Sequence, residues 1–362
     1  MTISEEGKTL TMRAPDNWHA HFRQGQLLQY LVKVFIDSGW RHRVVAEPNT
    51  LPPKLTGVLA MEYALEISHY AKGIEGGKKF QPIATIQLTE ETTREMIYDA
   101  FLLGVRVIKV YPRYVTTHSA NGVVDYTKIY PALSYAEQLD MVVQFHPEHP
   151  SYDVMGRRKE SEFRKILIDI VRKFPLLKVS VEHVSSADMV QWVKDQSDAV
   201  GASITIHHLY VTSDDLNGYS ERSGGLICVH DGGFKPGAKD PEDRTAVQNA
   251  AFSGDKKFWY GGDDAAHLKS KKECARASCG AWNTIPALPM LISLFEKHGF
   301  LSNLERFISE NGARFYSLPL NKEKVSFVRE SWKVPMECEV PGLNDSIVPF
   351  FAGEEMEWKL LT

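Results

Sequence analysis

Six residues in this chain have the types and spacing to do chemistry together. They are His19 and His21 in DNWHAHFRQG, Lys109 in VRVIKVYP, His146 closing MVVQFH, His183 closing KVSVEH, and Asp263 closing KFWYGGD. An His-x-His pair on extended chain turns both imidazoles to one side, where they can grip one ion. Alone, the pair reads more readily as two exposed histidines in a turn. A single histidine at a strand end is more often a satisfied polar group than a ligand. Two at equivalent ends, beside an His-x-His and a strand-end aspartate, shift that balance. Lys109 sits between Ile108 and Val110. A lysine there can snorkel from a strand end. Burial in general disfavours an ammonium, though, and a neutral amine can add CO₂ to give a carbamate whose two oxygens can bridge two cations. Four histidines, one lysine and one aspartate read as a two-metal hydrolase site.

Neighbouring residues fill out the site. Asp263 opens DDAAH, which also supplies Asp264 and His267, and one carboxylate there can both ligate a metal and take the proton of an attacking water. Glu148 and Glu182 flank the histidines and can orient them. Arg23 lies two residues beyond His21, on the same side of extended chain, where its guanidinium can bind a substrate carboxylate in bidentate fashion. Asn49 follows the second strand and can reach the same carboxylate; for a lone Arg or Asn, a surface turn is the ordinary alternative. Of the adjacent pair His207 and His208, strand alternation turns at most one inward, and His208 is the expected one.

These residues must be delivered by strands that converge. Strand-like runs are TMRAP (11–15), HRVVA (42–46), QPIATIQL (81–88), VRVIKV (105–110), MVVQFH (141–146), KVSVEH (178–183), ASITIH (202–207) and KFWYGG (257–262). Amphipathic stretches at 56–72, 92–104, 126–140 and 161–174 lie between several of them. Eight Val- and Ile-rich runs alternating with helices predict an α/β fold, a (β/α)8 TIM-type barrel with the metal site at the carboxyl ends of its strands. An open doubly wound sheet would place ligands near one switch point only, whereas here they follow strands one, four, five, six and eight. A single barrel domain over residues 1–362 is expected, with an extension from about 316 packed on its exterior. Two loops stand out: VTTHSANGVVD (115–125), and the Gly-rich stretch 217–244.

With 362 residues, 43% of them apolar, the chain can hold one large core. The net charge of −4 argues against nucleic acid or an anionic membrane as partner. No apolar run reaches membrane-span length, and the polar start MTISEEGKTL is no secretory signal. Cys228, Cys274, Cys279 and Cys338 form no CxxC pair and suit reduced thiols in a cytoplasmic protein with a small-molecule substrate.

WHAHFRQG, EPNTLPP, IKVYP, VTTHSANGV, FHPEHP, VEHVSS and GGDDAAH, in this order, resemble the dihydroorotases, above all the shorter, single-domain type of pyrimidine biosynthesis. The resemblance runs from about Met12 to FYSLPLN at 315–321, and VPFFAGEEMEW also fits. It implies two zinc ions: one held by His19, His21 and Asp263, the other by His146 and His183, with carboxylated Lys109 and a hydroxide, the nucleophile, bridging them. It implies substrate contacts from Arg23, Asn49 and His267, a mobile loop carrying Thr116 and Thr117, a backbone contact near Lys235, and a homodimer. The implied reaction is the reversible interconversion of N-carbamoyl-L-aspartate and L-dihydroorotate, with Asp263 as general base and acid.

The chain departs from the family pattern near the pocket. Glu47 replaces a usual Met, Pro147 the Gly of His-Gly-Glu, Arg113 a usual Ala, and GGDDAAH a more common Gly-Thr/Ser-Asp-Ser-Ala-Pro-His. An acid and a base are thereby added, and no metal ligand is lost. Two other readings are a related amidohydrolase acting on a hydantoin or dihydropyrimidine, and a catalytically silent homologue serving as a scaffold. Arg23 and Asn49 favour an acidic substrate over the first, and the filled ligand set argues against the second.

Overall fold

Runs of valine and isoleucine that offer no polar face become strands covered on both sides. The computed structural model describes residues 1–4, 7–150, 158–217 and 227–361. Its strands in chain order are β1 (Thr2–Ile3), β2 (Thr9–Arg13), β3 (Asn17–Ala20), β4 (Arg43–Ala46), β5 (Gln81–Ile83), β6 (Thr85–Leu88), β7 (Val107–Val110), β8 (Val142–Phe145), β9 (Lys178–Val181), β10 (Val200–Ile204), β11 (Phe258–Tyr260), β12 (Lys324–Lys333), β13 (Cys338–Glu339), β14 (Ser346–Ile347) and β15 (Glu355–Leu360). Every residue of β3, β4, β6, β7, β8, β10 and β11 is buried.

A parallel sheet runs β6-β7-β8-β9-β10-β11, and a second runs β3-β4-β5. The two are arcs of one ring. β5 and β6 are the halves of QPIATIQL, interrupted at Ala84, and a parallel bridge pairs Ala20 at the end of β3 with Asp264 beyond β11. With β5 and β6 counted as one, eight strands close a barrel, and each is followed by helix. The helices wrap the ring through apolar stripes. Lys159–Lys173, for example, buries Phe163, Leu167 and Ile170 at helical spacing. Thr56 and Thr93 cap the helices that follow them, their hydroxyls accepting from the amides of Leu59 and Met96 at 3.4 and 3.3 Å.

The structure corrects the sequence reading at the start of the chain and adds strands to it at the end. TMRAP, expected as the first barrel strand, lies largely in β2, which belongs to a separate antiparallel sheet of order β1-β2-β12-β15. Its burial alternates from residue to residue, as in a strand covered on one face, and Pro15 cannot donate to a continuing ladder. The barrel therefore begins at Asn17, and His19 lies inside its first strand. The segment beyond residue 316, weakly periodic to the eye, supplies β12 and β15 to the same sheet, joining the two ends of the chain. ASITIH is also a strand only as far as Ile204; Ile206–Tyr210 is a short helix started by the Thr205 hydroxyl, which accepts from the His208 amide. Strand alternation thus does not apply to His207 and His208, and both are buried.

The end of the barrel away from the site is plugged by Trp18 and Trp259, packed with Val45, Val107, Val142 and Tyr316. Trp18 stacks on Tyr316 at 4.4 Å, and the buried Arg43–Asp16 ion pair at 2.7 Å holds the start of β4 to the segment before β3. Room for the indoles comes from two glycines. A Cβ on Gly312 would stand 2.1 Å from Trp18 Nε1, and one on Gly201 would stand 2.4 Å from the Trp259 ring. Because Tyr316 blocks retreat of the Trp18 ring, Gly312→Ala is expected to destabilise the protein by about 1–3 kcal/mol, as overpacked cores do. The check is urea unfolding, where the midpoint should fall at unchanged slope; an unchanged midpoint would mean the plug is loosely packed.

Candidate metal centre

The closed ring brings the six residues to one end. His19 sits in β3 and His21 follows it, Lys109 is inside β7, and His146, His183 and Asp263 come one, two and three residues after β8, β9 and β11. All six are buried, Lys109 completely. His19 makes ring contacts with His21 at 5.3 Å and His183 at 5.2 Å, and His146 with His183 at 4.6 Å. His183 and Asp263 adopt left-handed backbone, φ 41° and 43°, which costs a non-glycine residue of order 1 kcal/mol or more and is tolerated where surrounding structure imposes it. Here Ser203 Oγ accepts from the His183 amide at 2.8 Å. Gly261 and Gly262 let the chain before Asp263 run against Ser203, Asn17 and the Asp264 carboxylate, where no Cβ fits.

The imidazoles are fixed from behind. Glu182 Oε2 lies 2.6 Å from His19 Nδ1, and Glu182 is itself held by the hydroxyls of Ser180 and Ser203. Asn49 Oδ1 accepts from His21 Nδ1 at 2.9 Å. These bonds leave Nε2 of both rings pointing at Asp263 Oδ1, at 3.3 and 2.9 Å. Glu148 takes Nε2 of His146 at 2.9 Å. Glu148 and Glu182 therefore each hold a histidine, Glu182 holding His19 rather than its neighbour His183. Burial pushes the Asp263 carboxyl up, but the charge of His19 and hydrogen bonds from His19 and His21 outweigh it and hold it well below the usual range. Burial alone would lower His19, yet Glu47 and Asp263 raise it to about 9; burial takes His21 down to about 4.

A divalent cation fits this donor set. His19, His21 and Asp263 offer ligand atoms that all lie within 4.8 Å of one another, and His183 Nδ1 is buried with no hydrogen-bond partner. Among the described residues, His146 and His183 belong to no such group of three His, Cys, Asp or Glu donors.

Beside the cluster lies a small cavity of about 20 Å³, lined among others by Arg23, Asn49, Thr116, Thr117, Lys235 and Asp263. The loop after β7 lines one side of it. Asn49 Nδ2 donates to the Thr117 carbonyl at 2.9 Å, the Thr117 hydroxyl reaches the Cys279 carbonyl at 3.5 Å, and His118 contacts the Asn49 carbonyl at 3.0 Å. Arg23 Nε donates to the Ala266 carbonyl at 2.8 Å. His267 Nε2 lies 3.0 Å from Arg23 Nη2 and 2.9 Å from the Cys279 carbonyl, and burial with the Arg23 charge keeps it neutral, at about 2. His208 is pinned between Thr205 Oγ1 and the Pro236 carbonyl, and so positions the segment carrying Lys235. Of the stretch 217–244, residues 218–226 lie outside the described residues.

The departures from the family pattern take separate places. Arg113 turns back on its own loop, donating to the Gly122 carbonyl. The Asp264 carboxylate accepts from Asn17 and Thr284, and burial raises it to about 7. Glu47 enters the cluster itself. Sequence reasoning did not single out Tyr111, whose hydroxyl donates to Glu47 at 2.7 Å, although its place two residues after Lys109 puts it on the same face. Loss of a group that orients a ligand typically lowers metal affinity about 10–100-fold. Glu182→Gln is expected to weaken zinc binding by that factor in competition with a chromophoric chelator, and unaltered affinity would mean that His19 is held in place without it.

A scan against protein-family profiles gives no match. The chain is 36% identical over 360 residues to a protein named dihydroorotase from Vibrio vulnificus (strain YJ016), covering 97% of this chain and 99% of that one. It is 35% identical over 355 residues to another so named from Marinobacter nauticus, covering 98% and 99%. Among solved structures it matches a dihydroorotase in complex with 5-fluoroorotic acid from Saccharomyces cerevisiae with TM-score 0.87 and 27% identity over 98% of both chains. An L-hydantoinase (dihydropyrimidinase) from Arthrobacter aurescens, at 16% identity and TM-score 0.78 over 98% of this chain and 83% of that one, shares the fold. With such identity along nearly its whole length, the chain belongs to the dihydroorotase family of cyclic amidohydrolases.

Proposed function

We propose that this protein interconverts N-carbamoyl-L-aspartate and L-dihydroorotate in pyrimidine biosynthesis, at a centre of two zinc ions. His19, His21 and Asp263 would hold one ion and His146 and His183 the other, with the carbamate of Lys109 between them. The observation that carries the reading is the meeting of all six residues at one buried point beside a pocket that holds Arg23 and Lys235. When bound, zinc supplies Lewis acidity that polarises the amide carbonyl and makes water acidic.

The residues of the chain do the rest. Asp263 is an ionised carboxylate whose Oδ1 faces the pair of Nε2 atoms, and as general base it takes the proton of the attacking water. It then delivers that proton to the ring nitrogen as the amide C–N bond breaks; ring closure is the same path reversed. Arg23 recognises the substrate carboxylate with its guanidinium. Asn49 can join it once the Thr117 carbonyl, which now accepts from Asn49 Nδ2, moves away. The loop bearing Thr116 and Thr117 thus acts as a lid whose contact with Asn49 is exchanged for the substrate. His267, neutral and against Arg23, lines up the guanidinium and meets the ring, and the backbone near Lys235 closes the far side.

The family likeness supports a cytoplasmic homodimer. Among the described residues no helix is long and apolar enough to cross a membrane. The hydantoinase likeness is one of fold, and the two cationic groups in the pocket favour an acidic ring over a neutral one.

The deciding assay follows ultraviolet absorbance of L-dihydroorotate with zinc-loaded protein, beside hydantoin and dihydrouracil. Selective loss of dihydroorotate is expected, and faster turnover of a neutral ring would reverse the substrate assignment. Removing one partner of a buried, hydrogen-bonded charge pair costs about 2–5 kcal/mol. Arg23→Ala should therefore cut kcat/KM for dihydroorotate roughly 30-fold or more. An equal fall for hydantoin would show that Arg23 shapes the site rather than reading the carboxylate.

A further inference from the structure

Glu47 follows β4 directly and points its carboxylate into the cluster. The residue is 1% exposed, and each oxygen has a different environment. Oε2 accepts from the Tyr111 hydroxyl at 2.7 Å and lies 3.3 Å from Lys109 Nζ. Oε1 is buried without a hydrogen-bond partner. A carboxylate oxygen so placed is costly unless something cationic completes it. The atom it faces is His19 Nε2, 3.7 Å away. That same Nε2 faces Asp263 Oδ1 at 3.3 Å, while the other ring nitrogen of His19 is held by Glu182. Two ligands of a tetrahedral zinc, each about 2.0–2.1 Å from the metal, stand roughly 3.4 Å apart. His19 Nε2 thus has the Asp263 oxygen at 3.3 Å and the unpartnered Glu47 oxygen at 3.7 Å, both close to the separation of two ligands on one zinc. Glu47, Glu182 and Asp263 place three buried carboxylates around His19, Glu182 on Nδ1 and the other two on the side of Nε2.

We propose that Glu47 is itself a metal-ligating residue, its Oε1 binding the ion held by His19, His21 and Asp263. This rests on the metal-centre reading above and adds to it. The ion then has four protein side chains of its own, so it is retained without a carbamate on Lys109. The carbamate becomes a requirement of the second ion only.

The test is metal content and affinity. Zinc per chain is measured by plasma mass spectrometry after dialysis, and affinity by chelator competition, for the parent protein and for Lys109→Met, Glu47→Gln and the double variant. The parent should hold two ions; if it holds none, the metal-centre reading fails before Glu47 is tested. Lys109→Met should keep one ion, and the double variant should bind that ion at least tenfold more weakly. Loss of both ions in Lys109→Met, or equal affinity in Lys109→Met and the double variant, overturns the proposal. Were Glu47 only the counter-ion of Lys109, removing it from the Lys109→Met protein would leave zinc binding unchanged. Cobalt(II) gives a readout independent of activity: Glu47→Gln and Glu47→Asp should both shift the visible absorption of the cobalt-loaded protein, and an unchanged spectrum in Glu47→Asp, which keeps the charge but withdraws it from the ion, counts against ligation.

Discussion

Charge that is shut away from water must be balanced by charge nearby, and this requirement organises the carboxyl end of the barrel. Asp263, Glu47, Glu182, Lys109, His19 and His21 lie within a few ångströms of one another and are almost wholly buried. None is stable there alone, since removing one partner of a buried pair costs about 3–5 kcal/mol through the charge left behind. Four of the six are held in turn by a polar group behind them. Glu182 and Asn49 hold the imidazoles, Tyr111 holds Glu47, and Ser180 and Ser203 hold Glu182. The result is a set of donors already aimed at an ion, with little left to reorganise when one binds.

That cluster can exist only because the ring closes. Ala20 and Asp264 form the bridge that completes the barrel, and they are the immediate neighbours of His19, His21 and Asp263. Closure and ligand placement are thus one structural event. The glycine pair before Asp263 serves both: Gly261 lets the chain meet Ser203 and His19, and Gly262 lets it meet Asn17 and the Asp264 carboxylate. The Asp264 carboxylate is taken up by Asn17 and Thr284. The two adjacent aspartates so divide between framework and chemistry.

The pocket is assembled by different means. Its walls are loops tied to one another by hydrogen bonds: the Thr117 carbonyl on Asn49, and the Cys279 carbonyl on Thr117 and His267. Polar groups carried by strands thus lie next to loops held by a few polar contacts, the division of labour by which scaffolds commonly present functional loops.

Much of this was legible in the residues. Strands buried on both faces leave continuous Val and Ile runs, and the polar residues that close several of them, His146, His183 and Asp263, lie at the end of the barrel where the sequence reading put them. The alternation within Thr9–Arg13 was also present in the sequence, but deciding that this strand pairs with β12, more than three hundred residues away, required the folded chain. So did the partner of Glu182, which a local view assigns to His183 and the fold assigns to His19. His207 and His208 were misread because a one-turn helix begins where strand alternation had been assumed. Residue types and periodicity determine which elements form and which residues can do chemistry, since both depend on local backbone preference and side-chain polarity. Which carboxylate faces which imidazole, and where Glu47 points, was decided by tertiary structure, because those distances depend on closure of the ring and on strands far apart in the chain.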